Sequence, residues 1–127
     1  MKHISFKLII IIIGFITVAS GMTQFFVPVK ALEMININAT MESIMLFRLC
    51  SILIAIFGSL LINASIQQTP TSGVIFWCSV QKLAAIAVLI GGLRERLTVV
   101  STITIIFDGV CGLLLFVYFL RLKYNTG

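Results

Sequence analysis

Four apolar runs, at about 8–27, 43–62, 73–93 and 97–120, take up most of this 127-residue chain. Each is close to the ~20 residues that an α-helix needs to cross a hydrocarbon core ~30 Å thick. No water competes there for backbone amides and carbonyls, so runs of this kind satisfy themselves as helices. The expected fold is therefore all-α: an integral-membrane four-helix bundle with antiparallel, up-down topology, forming one transmembrane domain over residues 1–127. Composition agrees, since the chain is 60% hydrophobic and only 10% charged, against about 25% charged in soluble domains.

The same composition narrows the function. A net charge of +5 would suit nucleic acid if it were clustered, but the basic residues are scattered over termini, loops and helix interiors. No nucleic-acid partner is expected. Cys50, Cys78 and Cys111 all lie in apolar runs and form no CxxC pair, so they read as small packing groups rather than a redox centre. The single histidine, His3, falls outside the spans, which leaves no ligand set for haem or a metal. No cofactor is expected.

Taken in order, the chain opens on a short basic segment with Lys2 and Lys7. Thr17-Val18-Ala19 resembles a signal-peptide cleavage site. Hydrophobicity continues through Phe25-Phe26-Val27, however, so the run is expected to be kept as the first span and ended by Pro28. In the loop that follows, 30–34 suits a short interfacial helix, with Leu32 and Met34 or Ile35 dipping into lipid. Asn38 or Thr40 is placed to cap the second span, with Glu42 in its first turn. The segment 63–72, containing Pro70, reads as a turn. The tripeptide Arg94-Glu95-Arg96 joins the last two spans. Lys2, Lys7, Arg121 and Lys123 stand on the side of the termini and Lys30, Arg94 and Arg96 on the other. That balance favours both termini cytoplasmic, an orientation that, with the bacterial class the chain resembles below, gives the expected location as a bacterial inner membrane.

Three charges lie within the spans. Lys82 is thirteen residues before Glu95 and Asp108 thirteen after it. At about 1.5 Å per residue both sit roughly 20 Å from the turn, near mid-membrane. Because a connection this short makes antiparallel neighbours, the two are expected to pair, with Cys78 and Cys111 also near each other. Arg48 lies about a turn and a half inside the second span and can snorkel outward, toward Glu42. Each span also carries a polar or small stripe at helical spacing. These are Thr17, Ser20, Gly21 and Gln24; Arg48, Ser51, Ala55 and Ser59; Cys78, Gln81, Lys82 and Ala85; and Ser101, Thr104, Asp108 and Cys111. Together the stripes describe a polar pocket open to the outer side and floored near mid-membrane, with Gly14, Ser59, Cys78 and Cys111 packing below. Arg48, Lys82, Asp108, Gln24, Ser51, Thr104 and Gln81 are its candidate ligand-binding residues.

The basic amino terminus, Pro28 in the first outer loop, Phe47-Arg48-Leu49 opening a helix that carries Gly58, and the charged turn before the fourth span resemble the DoxX-like class. These are small bacterial four-helix membrane proteins. The resemblance implies a four-helix membrane fold, and some members look like membrane subunits of larger redox or export assemblies. Two functions from different classes follow. One is a protein that binds or transports a small anionic or polar ligand, or a lipid, in the outer pocket. The other is a non-catalytic accessory subunit of a larger membrane complex, with Ser51-Ala55-Ser59 and Ala87-Gly91 as small-residue contact faces; a homo-oligomer would use the same faces. An enzyme ranks third, because acid–base chemistry would rest on Lys82 and Asp108 alone.

Overall fold

A computed structural model describes residues 2–67, 71–93 and 98–125. All of its regular structure is helical: α1 (Lys2–Phe26), α2 (Pro28–Met34), α3 (Met41–Ile66), α4 (Ser72–Leu93) and α5 (Val99–Asn125). The four long helices are each long and apolar enough to cross a membrane. The Arg94-Glu95-Arg96 connection, Leu97 and Pro70 lie outside the described residues.

Local chemistry accounts for the helix ends. Pro28 disfavours helical geometry in the residue before it, and Val27 accordingly breaks the chain at φ −126°, ψ 56°. Pro28 itself opens α2, where its missing N–H costs nothing. Thr40 caps α3: its hydroxyl accepts from the Ser43 amide while the Ser43 hydroxyl accepts from the Thr40 amide. Two helices run further at their C-terminal ends than the hydropathy suggests. α3 continues through Asn63 to Ile66, with the buried Ser65 hydroxyl donating to the Leu61 carbonyl. The Lys7 ammonium approaches the terminal Ile66 carbonyl at 3.5 Å, where the helix dipole favours a cation. α5 continues to Asn125 because its last turns pack: Tyr118 is buried and stacks on Phe6 with 5.3 Å between ring centroids, and Arg121 lies over the same Phe6 ring.

Contacts group the helices into two pairs, α1 with α3 and α4 with α5, joined by lighter contacts of α3 with α4 and α1 with α5. The apolar core lies toward the end of the bundle that holds the termini. Ile10, Ile13, Leu61, Ile75, Cys78, Cys111, Leu115 and Tyr118 form it. At the opposite end the short helix α2 buries Pro28 and Leu32. Leu32 was expected to dip into lipid; it is instead 2% exposed, turned into the protein. The Thr98 hydroxyl, at the start of α5, donates to the Met34 carbonyl at 2.9 Å and so ties α2 to the last helix. Leucine, isoleucine and valine side chains cover the outside of the bundle.

Candidate functional site

Lys82 and Asp108 meet, as their equal spacing from Glu95 predicts. Lys82 Nζ lies 3.1 Å from Asp108 Oδ1, with the two side chains 6% and 18% exposed. The ammonium also lies 5.8 Å from the centre of the Phe107 ring, whose negative face favours a cation. One turn toward the termini the buried Ser79 hydroxyl donates to the Gly112 carbonyl at 2.8 Å, and beside it Cys78 and Cys111 join the core. The Cys78 thiol points at the Phe57 carbonyl of α3, 3.6 Å away. The pair thus stands at the boundary between the apolar core and the half of the bundle that holds α2.

On the α2 side of that boundary the buried groups are mostly small or polar, but several are already engaged. Ser51 is fully buried, donates to the Phe47 carbonyl and lies against Gly21 of α1. Ser101 is buried and bonded to Thr98 at the start of α5. Thr104 donates to Val100, and Gln24 donates to Ser20 within α1. Gln81 is half-buried beside Lys82. The structure therefore gathers Lys82, Asp108, Gln81 and Thr104 on the α4–α5 pair and Gln24, Arg48 and Ser51 on the α1–α3 pair. Hydroxyls in membrane helices commonly back-bond to the preceding turn when no better partner is near, which a sequence stripe does not distinguish from a lined pocket.

Arg48 is exposed. Its guanidinium lies 5.8 Å from the centre of the Phe25 ring and forms no ion pair with Glu42, the partner expected from sequence. Ser59, expected to pack at the pocket floor, is exposed instead.

Between α1 and α3, on the outside of the bundle, runs a groove of about 400 Å³ that the sequence did not announce. Its floor is Gly21, Ser51 and Ala55, and its walls include Met22, Phe25, Ile52, Ile56 and Leu60. The groove exists because the two helices approach so closely. A Cβ on Gly21 would lie 2.7 Å from the Ser51 carbonyl oxygen, and one on Gly58 would lie 2.8 Å from the Val18 amide nitrogen. Larger residues flank this contact line and stand up on both sides of it. Sequence shows the small residues, but which of the flanking side chains line a common surface depends on helix azimuth. The Ser51-Ala55 face, expected to be free for a partner, is consumed in this contact.

Among the described residues no cluster of three or more histidine, cysteine, aspartate or glutamate side chains could hold a metal. In comparisons with protein-family models, with curated proteins and with solved structures, nothing matches this chain.

Proposed function

We propose that the protein binds, or moves within the outer half of the membrane, a small anionic or polar ligand or a lipid, at a site floored by Lys82 and Asp108. The observation that carries this reading is the buried mid-helix ion pair at the edge of the apolar core, with an Asp108 side chain that keeps 18% of its surface open. A lysine at the centre of a spanning helix costs about 2.5–3.5 kcal/mol by insertion scales. Close packing of small residues can hold two helices together in lipid without a buried charge, so a purely structural use of the pair is expensive. Lys82 and Arg48 against one Asp108 leave an excess positive charge, which selects an anionic or strongly polar group. On this reading Gln81 and Thr104, on α4 and α5, are the polar neighbours of the pair, and Gln24 and Ser51, on the α1–α3 pair and bonded within their own helices, are its outlying candidates. The DoxX-like resemblance belongs with this proposal, as does an inner-membrane location with both termini cytoplasmic.

The test is mass spectrometry of small molecules released from protein purified in mild detergent. Wild type should carry a ligand that the double variant Lys82→Met with Asp108→Leu lacks. Equal recovery from both proteins would overturn the site.

A second reading, an accessory subunit, draws on α4. Ala87 and Gly91 are exposed there, and a Cβ on Gly91 would meet nothing within 4 Å. A bare small-residue face suits a partner helix. Wild-type protein that purifies without ligand and is unstable alone would favour this reading.

A further inference from the structure

We infer that the α1–α3 groove is a binding site for one acyl chain of an anionic phospholipid, with Arg48 holding the headgroup phosphate. This goes beyond the proposed function: the site is a separate one, on the outside of α1 and α3, and it rests on Arg48 rather than on the Lys82–Asp108 pair.

Three observations converge on that occupant. The first is the chemistry of the groove. Its hydroxyls are spoken for, since Ser51 donates to Phe47 and Ser59 to Ala55. The surface they leave is mostly apolar, with Asn63 at its far end, so a hydrocarbon chain gains more there than a polar solute. The second is length. From Ser51 to Asn63 the groove follows α3 along its axis for about 18 Å at 1.5 Å per residue. That is more than half of a ~30 Å hydrocarbon core, so the groove has the length for an extended acyl chain that enters beside Arg48 and runs on toward the terminal side. The third is charge. Arg48 lies four residues before Ile52 and eight before Ile56, on the helix face that lines the groove. Its guanidinium lies against Phe25, a wall residue. It is exposed and has no ion-pair partner among the described residues, where Glu33 and Glu42 are also exposed.

A guanidinium about two turns below a helix start reaches toward the level of lipid phosphates by extending along its own stem. Its forked donors match phosphate oxygens in a bidentate way that a lysine would not. The bulk bilayer would fill any lateral groove with some chain. A cation at one end of this groove makes the choice specific, because it rewards a headgroup with net negative charge over a zwitterionic one.

The experiment is native mass spectrometry of the detergent-solubilised protein titrated with phosphatidylglycerol, phosphatidylcholine of the same chains, or inorganic phosphate. Wild type should bind phosphatidylglycerol more tightly than phosphatidylcholine, and inorganic phosphate should not displace it. Arg48→Ala should weaken phosphatidylglycerol about tenfold, the scale of one charged hydrogen bond, and leave phosphatidylcholine nearly unchanged. Ser59→Phe, which fills the groove from an exposed position, should weaken both lipids. Lys82→Met with Asp108→Leu should keep lipid binding, even if it abolishes a ligand at the mid-membrane pair. Equal lipid preference in wild type and Arg48→Ala overturns the inference. So does loss of phosphatidylglycerol in the Lys82–Asp108 double variant with retention in Arg48→Ala, an outcome that would instead strengthen the mid-membrane site.

Discussion

The two helix pairs of this bundle are held by opposite means. α1 and α3 touch backbone to backbone, with Gly14, Gly21 and Gly58 removing the side chains that would keep them apart. α4 and α5 are joined by polar groups, the Lys82–Asp108 pair and the Ser79–Gly112 hydrogen bond. In lipid there is little hydrophobic force between helices, so association draws on close packing or on polar contacts. This chain uses one device in each pair. The consequences differ. A close-packed contact has no buried charge to strand and is sensitive to size. An ion pair tolerates changes of shape and is sensitive to the loss of either partner. The light contacts between the pairs place the third device, aromatic stacking of Phe6 on Tyr118, at the terminal end alone.

The largest effect should come from breaking the polar pair on one side only. Lys82→Met or Asp108→Asn strands a charge in low dielectric and should cost about 3–5 kcal/mol. Lys82→Met with Asp108→Leu should recover much of it. Thermal unfolding in detergent of the two single variants and the double measures this, and a double no more stable than the worse single would show that the cost of the singles is not that of a stranded partner, so that the two side chains do not act as a pair.

The α1–α3 contact should answer to size instead. Gly21→Ala puts a methyl where Ser51 and Ala55 backbone atoms stand, and overpacking of this kind costs about 1–3 kcal/mol. Gly91→Ala, on the bare face of α4, should be neutral or slightly stabilising. Comparing their denaturation midpoints sharpens the contrast, and equal costs would mean that the close approach is not what holds α1 to α3.

Smallest is the aromatic contact between pairs. Phe6→Leu keeps apolar volume but removes the stack on Tyr118 and the ring beneath Arg121, for a loss of about 0.5–1.5 kcal/mol. Hydrogen exchange should rise in the last turns of α5 with little change in α3. A global loss would instead make the terminal aromatic cluster the main tie between the pairs.

Much of this was readable from sequence, because the membrane reduces the choices. Spanning helices are set by run length, and the partner of Lys82 follows from a short connection and equal spacings. The cap on α3 follows from Thr40 preceding an apolar run. Each of these depends on distance along one helix or across one turn, quantities that a helix makes linear in residue number. What only the tertiary structure decided depends on azimuth and on contacts distant in sequence. Leu32 turned inward because α2 folds back over the bundle and is tied to Thr98. α5 stays helical past the apolar run beside Phe6, more than a hundred residues earlier, which stacks on Tyr118 and lies under Arg121. Ser51 and Ser101 look like pocket groups in a stripe, yet one is consumed in a helix contact and the other at a helix start. The groove beside Arg48 arises from the same cause: small residues bring two helices together, and only their relative rotation determines which large neighbours wall the space between them.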